Sequence, residues 1–198
     1  FAPQKMVIKA GDYSDCKDAQ VVVITAGIAQ KPGQTRLELA EVNTKIMKQI
    51  TESIMKSGFD GIIIVASNPV DLMTYVVAEV SGLPKNRVIG SGTVLDTARL
   101  RYLMADYLKI SSKNIHAYIM GEHGDSSFVP WDHAYVGCKK VKDVMKDNKH
   151  PMEDLEKIHK GVVDAAYEII EKKKATYYGI GMALSRLVKA VLDNENSI

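Results

Sequence analysis

Two short apolar runs rich in β-branched residues, Val21 to Ile24 and Ile62 to Val65, are the clearest pattern in the chain. Their apolar residues are continuous and do not alternate with polar ones, which is typical of strands buried on both faces of a parallel sheet. Between them, residues 35–57 carry apolar side chains at helical spacing, and Gly58 marks the end of this predicted helix. The order strand, helix, strand predicts a right-handed crossover.

The same alternation of strands and helices continues along the chain. Further helices are predicted at residues 71–82, 94–108, 152–173 and 179–192, a short acidic helix or turn at 12–18, and further strands at 6–8, 87–90 and 115–120. Asn68 and Pro69 fit the N-cap and first position of the helix that follows them. Residues 139–149 are polar, and we interpret them as a surface connection. This order predicts an α/β fold with a doubly wound, Rossmann-like parallel sheet, which binds ligands beyond the carboxyl ends of its strands.

The amino-acid composition argues against several classes of function. The chain has 198 residues, 46% hydrophobic and 25% charged, which is ordinary for a globular protein. Its 26 basic and 24 acidic residues leave a formal charge of +2 without a basic stripe, so a nucleic-acid partner is not expected. No apolar run approaches the roughly 20 residues that cross a bilayer. The two cysteines, Cys16 and Cys138, lie far apart without metal-ligand spacing, so we expect reduced thiols, a cytoplasmic location and no metal.

Three residues could carry chemistry. His123 lies between Gly121 and Gly124, where its ring is left uncovered, and an imidazole in a cleft is a natural acid or base near neutral pH. Asp96 and Arg99 are three residues apart and share one face of a predicted helix. Arg99 could bind a carboxylate while Asp96 orients a histidine. A surface-loop histidine and a surface ion pair explain the same pattern equally well.

Two glycine-containing segments allow a functional and a structural interpretation. Residues 29–36 form a polar Pro-Gly loop that leaves a buried strand, so Arg36 either swings over a crevice or lies in an ordinary connection. A GxGxxG phosphate loop is absent from the sequence. The most similar segment begins at Gly179, but it has no third glycine and no strand precedes it. We therefore interpret it as the start of a helix with small residues.

Six segments taken in order resemble the lactate/malate dehydrogenase family, and within it the bacterial type of NAD-dependent L-lactate dehydrogenase. They are Thr25-Ala26-Gly27, Gln30-Lys31-Pro32-Gly33-Gln34-Thr35-Arg36, Ser67-Asn68-Pro69-Val70-Asp71, Gly90-Ser91-Gly92-Thr93, Leu95-Asp96-Thr97-Ala98-Arg99 and Gly121-Glu122-His123-Gly124-Asp125-Ser126. The resemblance covers essentially the whole chain. It implies hydride transfer between the nicotinamide of NAD and carbon 2 of a small 2-hydroxy acid.

The resemblance also implies roles for individual residues. His123 exchanges the proton of the substrate hydroxyl, and Asp96 holds the imidazole and raises the pKa of His123. Arg99 clamps the substrate carboxylate, and Arg36 polarises the reacting carbonyl. Two further residues, Asn68 and Thr176, contribute to the substrate pocket.

Substrate preference is expected to depend on Gln30. Malate-specific relatives carry arginine at this loop position, where it pairs with the second carboxylate of the substrate. A neutral glutamine leaves that carboxylate desolvated without a partner, which favours pyruvate and lactate over oxaloacetate and malate. Malate or another 2-hydroxy acid is the alternative substrate.

The resemblance implies a cofactor crevice and a regulatory site. The cofactor residues are Tyr13, Gly27, Ile28, Ala66, Ser67, Asn68 and Ser91. Arg101 and His116 match positions at which bacterial members bind fructose 1,6-bisphosphate between subunits, and members are typically homotetramers. Two cationic groups suit a phosphate.

Domain boundaries follow from the same comparison. Residues 1–90 are expected to be the C-terminal part of a dinucleotide-binding domain, and residues 91–198 part of an α+β substrate domain whose last helix packs back on the first domain. The family's phosphate loop would precede Phe1 and its last strands would follow Ile198, so the chain looks like an internal segment. The alternative to an active enzyme is therefore a catalytically incompetent fragment with open sheet edges.

Overall fold

The structure, a computed structural model, describes residues 6–28, 36–173 and 175–197, and for residues 36–39 it describes the backbone alone. The chain divides into two compact units, Phe1–Gly90 and Ser91–Ile198.

The first unit is built on a parallel sheet. A 3-10 helix, Tyr13–Asp18, precedes the elements β1 (Val21–Ile24), α1 (Arg36–Lys56), β2 (Ile62–Val65), α2 (Val70–Ser81), a second 3-10 helix (Lys85–Arg87) and β3 (Val88–Gly90). The strands lie in the order β1-β2-β3, with β2 in the centre. This arrangement confirms the predicted α/β class with an incomplete, Rossmann-like sheet.

The two helices of this unit contribute regularly spaced apolar side chains to one core. Met47 and Ile54 of α1 and Met73 and Val77 of α2 are buried with Ile63 of the central strand. Burying each such side chain contributes roughly 1.5–3 kcal/mol, so this packing fixes both helices against the sheet. Gly82 ends α2 in a left-handed conformation, φ 64°.

Two local predictions for this unit are wrong. Residues 6–8 are not a strand, and Met6, Val7 and Ile8 are exposed, because no described strand lies beside them to complete a ladder. Asn68 does not cap α2: Pro69 is the N-cap residue, without a side-chain hydrogen bond.

The second unit combines helices with a small antiparallel sheet. In chain order it contains α3 (Val94–Leu108), β4 (Ile115–His116), β5 (Tyr135–Val136), β6 (Lys139–Lys140), α4 (Val141–Asp147), α5 (Glu153–Lys173) and α6 (Tyr178–Leu192), with 3-10 turns at Ser112–Asn114 and Trp131–His133. The sheet order is β4-β5-β6. Its core includes Leu100 and Met104 of α3 and Leu155 and Val162 of α5. The expectation that α6 packs on the first domain stays a prediction.

Two predictions here need correction. Residues 139–149 are not a surface connection, because β6 and α4 form there and Val141 and Met145, one helical turn apart, are fully buried. The predicted strand at 115–120 shortens to Ile115–His116, and Met120 instead makes an isolated bridge with Phe128.

Candidate active site

Two threonines attach the segment after β4 to the first turn of α3. Thr93 Oγ1 donates to the carbonyl of Ile119 at 2.7 Å, and the Ile119 amide donates to Thr97 Oγ1 at 3.0 Å. The backbone amide and carbonyl of Ile119 are therefore both hydrogen-bonded to threonines at the start of α3. This attachment sets where the chain enters the following loop.

The loop 121–127 is closed at its base by a pair of backbone hydrogen bonds. Met120 and Phe128 exchange them at 2.9 and 3.0 Å. Gly121 opens the loop at φ 88°, and a Cβ there would lie 3.4 Å from the Phe128 ring. A side chain is disfavoured at this φ, so glycine permits the turn that presents His123.

His123 and Asp96 form a close pair within the second unit. Nδ1 of His123 lies 2.5 Å from Oδ2 of Asp96, and the Asp96 side chain is 11% exposed whereas that of His123 is 30% exposed. A carboxylate accepts the Nδ1 proton, which leaves Nε2 as the nitrogen able to exchange a proton with a ligand. The structure thus brings together two residues that the sequence separates by 27 positions.

Arg99 extends this pair on the same helix. Its Nη1 lies 3.7 Å from Oδ1 of Asp96, and its side chain is 17% exposed. Arg99 also lines a cavity formed where α5 ends and α6 begins, together with Lys173, Thr176 and Tyr178. A guanidinium at the wall of a cavity, beside the carboxylate that holds the His123 ring, can bind an anionic group.

In the first unit, Asn43 organises the loops that follow β1 and β2. It is 1% exposed, and its side chain accepts from the Ile28 amide at 2.9 Å and donates to the Asn68 carbonyl at 2.9 Å. Ser67 Oγ donates to the Ala26 carbonyl. Our sequence reasoning missed Asn43. The available signal was an amide among the apolar positions of an amphipathic helix, since a buried amide needs partners.

The remaining predicted cofactor residues have the following places. Gly27 and Ile28 follow β1, Ala66 and Ser67 follow β2, Tyr13 begins the first 3-10 helix, and Ser91 is buried at the start of the second unit. Tyr13 and Ile28 are exposed. Gln30 and the Arg36 side chain lie outside the described residues, and the Arg36 backbone begins α1.

Arg101 and His116 lie on neighbouring elements of the second unit. Arg101 Nε donates to the carbonyl of Ala117 at 3.1 Å, and its guanidinium lies 4.6 Å from the centroid of the Tyr118 ring. His116 is exposed on β4. Arg101 is therefore fixed beside the strand that carries His116.

Membrane-spanning helices and metal-binding clusters are both absent from the described ranges. No helix in them is long and apolar enough to span a bilayer. They also contain no cluster of three histidine, cysteine or acidic residues arranged to hold a metal ion.

Comparison with known proteins gives closely related sequences. The chain is 57% identical to L-lactate dehydrogenase 2 and 59% identical to L-lactate dehydrogenase 1 of Bacillus cereus, in each case over all of this chain and 63% of the relative. It thus spans less than two thirds of the length of these curated relatives.

Solved structures agree with these sequence matches. A lactate dehydrogenase from a Medee basin deep-sea metagenome library superposes with a TM-score of 0.95 at 59% identity, covering 99% of this chain and 63% of that one. The ligand-bound minor L-lactate dehydrogenase of Enterococcus mundtii gives a TM-score of 0.91 at 51% identity, covering 94% and 60%.

Family models match both units. Residues 1–90 match the NAD binding domain of lactate/malate dehydrogenase, and residues 93–198 match its alpha/beta C-terminal domain. The chain therefore belongs to the lactate/malate dehydrogenase family.

Proposed function

We propose that this chain carries the catalytic residues of an L-lactate dehydrogenase, which transfers hydride reversibly between NADH and pyruvate to give (S)-lactate and NAD⁺. Residues 1–90 would supply part of the dinucleotide-binding domain, and residues 91–198 part of the substrate domain. The observation that carries the proposal is the Asp96–His123 pair at 2.5 Å with Arg99 beside it. The names of the relatives support the choice of reaction.

Proton exchange is assigned to Nε2 of His123. In pyruvate reduction this nitrogen donates a proton to the carbonyl oxygen, and in lactate oxidation it takes the proton of the hydroxyl. Asp96 stabilises the imidazolium and keeps the ring in one tautomer and orientation. Positioned acid–base groups contribute roughly 10²–10⁴-fold to a rate.

Substrate binding is assigned to Arg99 and Thr176, which line one cavity. The planar guanidinium can donate two parallel hydrogen bonds to the carboxylate of pyruvate, and this fixes the orientation of the adjacent carbonyl. Gln30, Arg36 and Asn68 complete the proposed substrate site. Arg36 polarises the carbonyl as negative charge develops on its oxygen.

The loops after β1 and β2 fit a dinucleotide. Ile24 and Val65 are paired at the ends of these parallel strands, so the loops leave the same edge of the sheet. Gly27, Ala66 and Ser67 are small, which permits close approach of a ligand to the backbone, and Asn43 holds both loops. When bound, the nicotinamide ring accepts or supplies the hydride. Tyr13, Ile28, Asn68 and Ser91 are the other residues proposed for NAD.

The test is a turnover measurement on the protein that carries this sequence. Intact mass of the native protein establishes the chain that is present, and lactate formation from pyruvate and NADH is then measured against malate formation from oxaloacetate. We expect a preference for pyruvate and loss of turnover in His123→Ala. Faster oxaloacetate reduction would favour the malate alternative. Absence of turnover in a folded protein that binds NADH would favour the incompetent fragment.

A regulatory site is a second proposal. Arg101 and His116 lie on adjacent elements, and together they offer two cationic groups when the imidazole is protonated. We propose that they bind fructose 1,6-bisphosphate in a homotetramer and thereby activate the enzyme. Titration with the sugar bisphosphate should raise the affinity for pyruvate, more strongly at lower pH. An unchanged affinity would contradict this role.

The cellular setting is also a proposal. Cys16 and Cys138 are free thiols, which suits a cytoplasmic protein. There the reaction would return NADH to NAD⁺ at the end of glycolysis, as fermentation requires.

A further inference from the structure

Lys173 lines the same cavity as Arg99 and Thr176. It is the last residue of α5, and its ammonium lies 5.6 Å from the centroid of the Tyr178 ring, at the start of α6. This cation–π contact holds the charge near the cavity wall. No acidic residue lines the cavity within the part of the chain that the structure describes.

The two cations of the cavity differ in how far they are neutralised. The guanidinium of Arg99 lies 3.7 Å from the Asp96 carboxylate. The negative charge of Asp96 therefore partly offsets the positive charge of Arg99. Among the described residues Lys173 forms no ion pair, so no paired carboxylate offsets its charge at the cavity wall. An anion bound at Arg99 would also lie within the field of Lys173, because both residues line one cavity.

Lys172 provides an internal comparison. It lies beside Lys173 in the last turn of α5, but its Nζ is 3.7 Å from Glu168 and it does not line the cavity. Both lysines have the same favourable interaction with the C-terminal end of the helix dipole. A purely structural role at the helix end would therefore be common to the two residues.

We propose that Lys173 is an electrostatic guide that attracts the anionic 2-oxo acid to Arg99. The inference rests on the proposed function and adds a residue that sets substrate affinity without touching the reacting atoms. Because the effect acts through the field, it should change KM and leave kcat unchanged. It should also weaken with salt, since the Debye length falls from about 30 Å at 0.01 M to about 3 Å at 1 M.

The experiment compares Lys173→Gln with Lys172→Gln as the matched control and Lys173→Arg as the charge-conserving variant. At low ionic strength, we expect Lys173→Gln to raise KM for pyruvate about threefold, and this difference should vanish at high salt. Lys173→Arg should match the unsubstituted protein, and Lys172→Gln should have a smaller effect than Lys173→Gln, since Lys172 does not line the cavity. Equal effects of the two glutamine variants, or an effect that persists at high salt, would overturn the proposal.

A binding measurement separates this inference from the proposed function. Pyruvate is titrated into the protein and the NMR shifts of Arg99 and Thr176 are followed. If the protein does not turn over pyruvate, the proposed function fails. Pyruvate binding that is weaker in Lys173→Gln than in the other variants would still support the electrostatic role of Lys173. Identical pyruvate affinities in the three variants and the unsubstituted protein would exclude it.

Discussion

Asp96 in the first turn of α3 and His123 in the loop 121–127 meet with Oδ2 and Nδ1 2.5 Å apart. The contact depends on the threonine attachment of Ile119 to α3, because that attachment fixes the start of the loop. It couples the position of the His123 ring to the helix that also carries Arg99.

The Asp96→Asn variant tests that coupling. Removing the carboxylate should destabilise the imidazolium of His123, because the charged ring loses its adjacent negative charge. Reduction of pyruvate requires protonated His123, so its decline with rising pH should begin at a lower pH. A pH–rate profile and NMR titration of His123 measure this. The control is Asp106→Asn, which removes a surface ion pair with Lys109 at the end of the same helix. It should change neither the pH–rate profile nor the titration curve of His123.

The Arg99→Lys variant tests two-point binding. Lysine keeps the charge but loses the planar fork, and a hydrogen bond to a charged group contributes roughly 1.5–3 kcal/mol. We therefore expect KM for pyruvate to rise roughly 10- to 100-fold. Steady-state kinetics measure the change, with Arg186→Lys, at a surface ion pair with Glu195, as the control. An unchanged KM would show that one hydrogen bond suffices.

The Thr97→Val variant tests the attachment of the loop. It leaves the Ile119 amide without its acceptor, which costs about 1–3 kcal/mol of the free energy of unfolding. Because the same contact positions His123, kcat should also fall. Thr51→Val is the matched control: this buried threonine donates to Met47 within its own helix, so kcat should be preserved. Equal kcat in both variants would refute the positioning role.

The Asp154→Asn variant tests a pH-dependent contact between α3 and α5. Hydrogen bonds from Lys157 and then from Tyr107 lower the pKa of Asp154 below its ordinary value. Ionised Asp154 therefore stabilises the fold above that ordinary value, and the contribution is lost as the pH falls through the lowered pKa. In urea unfolding, the free energy of unfolding should fall less steeply with decreasing pH for Asp154→Asn than for the unsubstituted protein.

The complementary variant Tyr107→Phe removes one of the two hydrogen bonds to Asp154 and should give a smaller change in the same direction. Superimposable pH–stability curves for Asp154→Asn and the unsubstituted protein would contradict this account.

The Gln30→Arg variant tests substrate preference. An added guanidinium would pair with the second carboxylate of oxaloacetate, whose desolvation is otherwise uncompensated. The ratio of kcat/KM for oxaloacetate to that for pyruvate should rise by at least about tenfold, the equivalent of 1.4 kcal/mol. Gln20→Arg, at an exposed turn before β1, controls for added charge. An unchanged ratio would remove Gln30 as the selecting residue.

Local pattern determined most of the secondary structure. The strands β1 and β2 and the helix α3 have the bounds that their apolar spacing predicts, because each has a continuous run or an amphipathic period. Short elements such as β5 and β6 carry no period, and their formation depends on strand partners. Residues 6–8 show the converse: they have an apolar strand pattern, but no strand lies beside them in the described part of the chain.

For the candidate site, the sequence by itself determined residue types and, through resemblance, their roles. It left Asp96, Arg99 and His123 equally open to surface explanations when each was considered locally. Only tertiary structure decided that Asp96 and His123 meet, that Arg99 and Thr176 line one cavity, and that Asn43 holds two loops together. The physical reason is that hydrogen bonds and charge act over a few ångströms in space, and the fold alone makes residues distant in the chain neighbours.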